Sequence, residues 1–478
     1  MDASSEPSAC DDICGTTAES TGAVAAAEIE NAEDAASVID VEALASEMAS
    51  ALDSLRETDP YTITRVPTYV RERNKKLYEP MVIAIGPYHH GREHLQEMEE
   101  HKWRFLRDLL SRSTSEASLE VLLGKMKAWE KEARRCYSES IGLTSKEFVK
   151  MMLLDGCFII EFFWKCQEGD LDNNKFSGIQ YIFLDVLLLE NQIPFFIIDG
   201  LFELVVGSAA ESRERPSLVE HIRPIYLEIS GVRMKSQTVS PPAKIHHLLH
   251  LYYHWVVPAA MNPSWSDHHS PTLERLISQL FSSFPPMKSE KPTSFIPSAT
   301  ELREAGVTFR KKASPDHMLD ITFRNGVMEI PLNHIEDSTR TILTNLVAFE
   351  QSMLDGPMNI TSFSLLMDSL INTEKDVAIL QRCDVIDHFL GSEEEVARFF
   401  NQLGEHAVID LTDHYFSELF SEVNFYRDSK WHSYRARLVH DYFSNPWAIL
   451  SLVAALILLA LTFLQTFFAI FSYFRPPN

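Results

Sequence analysis

Asp155, Asp185, Glu190 and Asn191 stand inside two unusually apolar stretches of the chain, EFVKMMLLDGCFIIEFFWKC and YIFLDVLLLENQIPFFIIDGLFELVV. A carboxyl in a dry core needs a partner or its pKa rises, and a pair of such groups is the raw material of acid–base catalysis. The alternative is structural: caps for helices, or acceptors for backbone N–H groups and for the Arg and Lys of the RVP segment. The pattern favours the structural use. Histidines offer a second chemistry. In PYHHGREH, His90 and His94 are four apart; in KIHHLLHLYYHW, His246, His250 and His254 run at i, i+4 and i+8. Such spacing suits a transition metal or a pH sensor. Gly91 weakens the first helix and no third ligand stands near it, and the second set reads as the polar face of a helix. Signatures for a catalytic serine, a phosphate loop, a zinc protease or a dinucleotide site are all missing. No catalytic, cofactor-binding or metal residue is therefore assigned, and the chain is not expected to be an enzyme.

The elements that would hold these residues are mainly helical. The two apolar stretches are interrupted by charges, so they predict buried core helices rather than membrane spans. Residues 92–137 predict charged helix with Trp103, Phe105, Leu106, Leu109 and Leu110 on its apolar face. MVIAIGPYHHG predicts a short buried strand. Ser298 or Thr300 caps a short helix stopping at Gly306. Asn325-Gly326, between Ile321, Phe323, Val327 and Ile330, is a hairpin signal. The expected fold is a mainly α (α+β) domain over residues 58–440 with a small sheet and loop insertions near 207–243 and 258–294.

Charge is unevenly spread over the 478 residues. The net charge is −25, and Met1 to Pro60 holds fifteen acidic residues against Arg56 alone, so −14 falls there and −11 on the rest. Residues 1–57 read as an acidic region, disordered to about residue 35. Val38, Val41, Leu44, Met48, Leu52 and Leu55 then predict an amphipathic helix near 35–57, packed on the main domain or offered to a partner. The acidic balance disfavours nucleic acid. Six cysteines without C-x-x-C pairs fit reduced thiols.

No charge occurs from Tyr442 to Phe474. At ~1.5 Å per residue, Trp447 to Phe474 would extend about 42 Å, enough to cross the ~30 Å hydrocarbon core of a bilayer. A membrane helix is expected at 447–471, with Trp447 and Tyr473 at its interfacial ends and a short tail at 472–478. Arg427, Lys430, Arg435 and Arg437 upstream outnumber Arg475 downstream. The lipid bilayer is thus one expected partner and the bulk of the chain is expected in the cytosol. The sequon at Asn359 would accept a glycan only if the domain were non-cytosolic.

The order of motifs carries a resemblance. IxRVPxYxRxRNxxxYEPxVIAIGPYHHG, HKWRFL, MMLLDGCFIIE and LDVLLLENQIPFF, followed by PSATELREAGVTF, DITFRNGVMEIP, NLVAFEQ, LGSEEEVARFFNQL and YFSNPWAILSLVAA, resemble the plant family called domain of unknown function 247. The resemblance runs from Tyr61 to the C-terminus. It implies a membrane-associated plant protein with no established catalytic residues; some grass members are associated with pollen–stigma self-incompatibility. Together with the anchor and the missing catalytic signatures, it points to a tethered recognition or signalling module with an unidentified protein partner. The competing expectation is an anchored enzyme working through Asp155, Asp185 or Glu190.

Overall fold

A computed structural model describes residues 40–54, 61–112, 117–170, 178–206, 217–229, 244–257, 295–353, 356–405, 407–428 and 446–474. The chain divides into two units, Met1–Asp59 and Pro60–Asn478. In the first, helix α1 (Val41–Ser54) forms inside the amphipathic stretch. Asp40 caps it by accepting from the N–H groups of Glu42 and Ala43. The disorder expected before residue 35 lies outside the described residues.

The second unit begins with an arm, residues 61–78, and continues into α2 (Gln96–Arg112) and α3 (Leu119–Arg135). Both pack on the central α4 (Ser145–Glu168). Local sequence sets the bounds of α4. Thr144 and Glu147 form a reciprocal capping box, and Gly169 closes the helix in a left-handed conformation. Except for Lys150, every residue from Phe148 to Phe163 is buried, which is why no single apolar stripe marks this helix. Gly156 lets α6 (Phe195–Val206) approach, since a Cβ there would lie 2.6 Å from Leu201 Cδ1. The second apolar stretch is two helices, α5 (Ile179–Asp185) and α6, joined by the tight 186–194 connection. Both stretches are core, as expected.

Several expectations are corrected. Trp103 is 49% exposed, with Lys150 Nζ 5.2 Å from its ring centre, and Lys102 takes the inward position. Residues 207–243 are not all loop: α7 (Leu218–Ile229) lies within them, with Ile225 and Tyr226 buried three and four residues after the buried Ile222. The remainder of that insertion and the whole of 258–294 fall outside the described residues. MVIAIG is extended but pairs with no strand among the described residues; side chains take its backbone hydrogen bonds.

After α8 (Leu248–Val256) and α9 (Ala299–Glu304), four short strands follow: β1 (Thr308–Lys311), β2 (Thr322–Arg324), β3 (Val327–Ile330) and β4 (Asn333–Ile335). Ser298 rather than Thr300 caps α9, in a capping box with Glu301. The expected hairpin is present. Arg324 pairs with Val327 across Asn325 and Gly326, both at positive φ. β1 adds to β3 in parallel, giving the order β1-β3-β2. The second half of the unit is helical: α10 (Asp337–Ser352), α11 (Asn359–Leu370), α12 (Glu374–Arg382), α13 (Glu393–Leu403) and α14 (Ser417–Asp428). Between α12 and α13, β5 (Ile386–His388) pairs in parallel with β4. The fold is mainly helical with small sheets, as the patterning predicts.

The C-terminal helix α15 (Pro446–Phe474) has 29 residues and no charged side chain in any of its turns. Among the described residues no helix is long and apolar enough to cross a membrane. Within α15 the continuous run of described side chains is 453–468, and those of Trp447 and Tyr473 lie outside it.

Candidate functional site

Asp155, Asp185 and Asn191 of the apolar stretches converge on one piece of backbone. Asp185 accepts from the N–H groups of Met81 (2.9 Å), Val82 (2.7 Å) and Ile83 (2.9 Å). Asn191 accepts from Ile85 N–H at 2.7 Å and donates to the carbonyls of Ile83 and Asp185. Asp155 accepts from Gly86 N–H at 2.8 Å. Lys102 donates to the Ala84 carbonyl, to Asp155 and to Glu99, each at 2.6 Å. An extended segment buried without a strand beside it must satisfy its backbone somewhere, and here α2, α4, α5 and the 186–194 connection do so. Gly86 closes the segment at φ +75°, where a Cβ would sit 2.3 Å from the Gln192 carbonyl oxygen.

Glu190 plays the same part for the arm. One oxygen accepts from Val66 N–H at 2.9 Å, and the other faces Arg65 at 3.3 Å and Arg71 at 3.2 Å. Asn345 of α10 accepts from Leu189 N–H and donates to the Leu77 carbonyl, tying the far end of the arm to the same connection. Burial pushes the Asp185 carboxyl up to about 6 against the pull of its three donors. Burial likewise raises Glu190, offset in part by Val66 N–H and the two arginines. For the Lys102–Asp155 pair the proton stays on lysine: burial pulls the ammonium down, and the Asp155 and Glu99 charges more than reverse it. Asp155, Asp185 and Glu190 are all 1% exposed. They hold backbone and cations, so the acid–base reading of these carboxylates loses its geometric basis.

His90 lies in a turn at Gly91 and His94 in the next short helical turn, so no common helix face unites them. His246 precedes α8, His247 caps it, and His250 and His254 lie within it. His246 and His250 stack at 4.8 Å between ring centres, and the Nε2 atoms of His250 and His254 are 2.8 Å apart. Burial lowers His254 to about 4 and His247 to about 3, which keeps these rings neutral at physiological pH. Among the described residues no group of three His, Cys, Asp or Glu is arranged to hold a metal ion. Asn359 is 5% exposed in the first turn of α11, and its sequon partner Thr361 donates its hydroxyl to the buried Glu350 at 2.7 Å. A glycan on Asn359 is incompatible with that packing.

His89, which sequence reasoning passed over, carries a pH prediction. It is fully buried, neither ring nitrogen has a hydrogen-bond partner among the described residues, and burial followed by Arg92 and Arg65 lowers it to about 3. Unfolded, it titrates near 6.5, so below that pH the unfolded chain binds the extra proton and stability falls until about pH 3. His89→Leu should leave stability at pH 7 unchanged or higher. Its advantage over the parent, read by urea unfolding, should grow from pH 7 to pH 4. A gap independent of pH would show that His89 is charged or solvated in the fold.

What the framework builds is a cleft. The arm faces α10 and α13 across a cavity of about 430 Å³, within the range of ligand sites. Val66, Leu77, Leu189, Val347, Phe399 and Leu403 supply apolar surface; Arg65, Arg73, Asn74, Arg340, Gln351 and Gln402 supply hydrogen-bonding groups. Arg73 pairs with Glu405, and Gln351 exchanges hydrogen bonds with both backbone groups of Val408. Asp155, Asp185 and Glu190 do not line it. Sequence reasoning missed this site because its walls are drawn from residues between Tyr61 and Val408.

From residue 63 to residue 461 the chain matches the model of a family described as a plant protein of unknown function. The chain belongs to that family. It is 32% identical over 421 residues to a UPF0481 protein of Arabidopsis thaliana, covering 86% of each chain. A second UPF0481 protein of the same plant is 24% identical over 491 residues, covering 86% of this chain and 91% of its own. No solved structure matches. The range shared with this plant family contains the arm from residue 63 on, the framework that holds it and every residue lining the cleft beyond Tyr61.

Proposed function

We propose that this plant protein is a membrane-tethered recognition module whose cleft between the arm and α10/α13 receives a segment of a partner protein. The observation that carries the reading is the cleft itself: an apolar floor with a hydrogen-bonding rim, held in shape by Glu190 and Asn345 and set apart from the sealed carboxylates. The rim suits polypeptide, which offers both backbone groups and side chains. Support for the tether is the charge-free 29-residue α15, whose described side chains are apolar apart from Ser451, Thr462, Gln465 and Thr466. In water such a helix would leave Leu456, Leu459, Phe463 and Phe468 exposed; in hydrocarbon they are at home. The basic residues before it favour a cytosolic domain.

The test is proximity labelling in native membranes with the full chain and with Thr344→Trp, which places an indole in the cleft from a half-buried helix position. Loss of a defined set of labelled neighbours in the variant, with its melting temperature retained, is the expected result. An unchanged set would overturn the docking role. For the tether, the full chain should stay with membranes in alkaline carbonate and a chain lacking residues 446–474 should not; extraction of the full chain would sink that part.

A further inference from the structure

We infer that the cleft selects an acidic partner segment, one carboxylate of which pairs with Arg340; this rests on the docking role proposed above. In a chain of net charge −25, the lining carries Arg65, Arg73 and Arg340 against one acid, Glu405. A locally basic cleft on an acidic protein selects by charge as well as shape. Two of the three arginines are committed. Arg65 is held by Glu139 at 2.7 Å and Glu190 at 3.3 Å, and Arg73 by Glu405.

Arg340 is different. Its ion pair is with Asp337 at 3.4 Å, one turn back on the same helix, and the Asp337 side chain is 91% exposed. Such a pair is long and solvent-screened, and so yields readily to a better acceptor. The Arg340 Nε is buried without a hydrogen-bond partner among the described residues, and the guanidinium lies 5.8 Å from the Phe399 ring centre. A planar cation beside an aromatic ring, with donors to spare, is arranged to take a carboxylate in the forked geometry. Because the other two arginines are neutralised, the cleft offers one strong anion position among its described residues. That matches a single Asp or Glu among apolar neighbours better than a polyphosphate or nucleic acid. Thr344 on the next turn, Val347 and Leu403 beyond it, give the flanking residues of that segment apolar contact.

The experiment uses the full chain in lipid nanodiscs and fluorescein-labelled hexapeptides of alternating residues: Glu-Leu, Gln-Leu and Lys-Leu. Glu-Leu should bind at least about tenfold tighter than Gln-Leu, as a charge-assisted pair requires, and Lys-Leu should bind weakest. Arg340→Gln should abolish the preference for Glu-Leu over Gln-Leu; Thr344→Trp should weaken all three. Equal binding of Glu-Leu and Gln-Leu, a preference that survives Arg340→Gln, or no binding of Glu-Leu would overturn the inference. Loss of the labelled neighbours in Thr344→Trp but not in Arg340→Gln would leave the docking role standing and remove only its acidic chemistry.

Discussion

Asp185→Ala should cost the domain at least about 3 kcal/mol and as much as 6, because one carboxylate satisfies three consecutive backbone donors. A buried donor left unpaired costs about 1–3 kcal/mol, and part of the loss is recovered where water reaches the half-exposed Met81 end. Against a total stability of roughly 5–15 kcal/mol this is a large fraction. The strain falls on residues 81–86, which have no neighbouring strand among the described residues to take over. Asp185→Asn keeps one acceptor oxygen but turns an NH2 toward the remaining donors, so it should fall between the parent and Asp185→Ala. Thermal melting of the three chains in identical detergent checks the order. If Asp185→Ala melts with the parent, residues 81–83 are satisfied by solvent and the framework described here is not what holds them.

The parts of this fold that show in the sequence are those whose cause is local. α4 announces itself through Thr144, Glu147 and Gly169 at its ends, and the hairpin through Asn325-Gly326. The parallel pairs do not: Asn333 meets Ile386, and Thr308 meets Val327, partners that no short-range pattern connects. The extended MVIAIG segment was legible as buried and extended but not as strandless, since its partners come from residues 102, 155, 185 and 191. Of these, Asp155, Asp185 and Asn191 stand out as polar residues in apolar runs, which exposes the site's framework but not its use. Lys102 carried a signal too. It sits four residues after Met98 and three or four before Phe105 and Leu106, on the buried face of α2. A lysine at that register in a helix needs a buried acid, and Asp155 is the one it finds. The cleft had no such marker, because Arg340 and Phe399 look like ordinary surface and core residues until α10 and α13 meet.

That buried lysine supports the other large expected effect. Lys102→Met fills a similar volume but leaves the Asp155 carboxylate, 1% exposed, with Gly86 N–H as its remaining hydrogen-bond donor, and strips the Ala84 carbonyl of its partner. Breaking a buried pair on one side typically costs about 3–5 kcal/mol, whereas removing both charges costs far less. Lys102→Met should therefore be severely destabilised. Adding Asp155→Asn should restore part of the loss, since the amide oxygen still accepts from Gly86 N–H and no charge is left in the core. Urea unfolding of the four chains closes the cycle, and a coupling of about 1–3 kcal/mol is expected for groups in direct contact. An additive cycle would mean that the two residues act on the segment independently. The consequence for function lies one step further. Gly86 is pinned between Asp155 and the Gln192 backbone, and the same 186–194 connection holds the arm through Glu190 and α10 through Leu189 and Asn345. Loosening Lys102 should therefore widen the cleft before the domain unfolds. At temperatures well below melting, hydrogen exchange in Lys102→Met should rise first in residues 61–86.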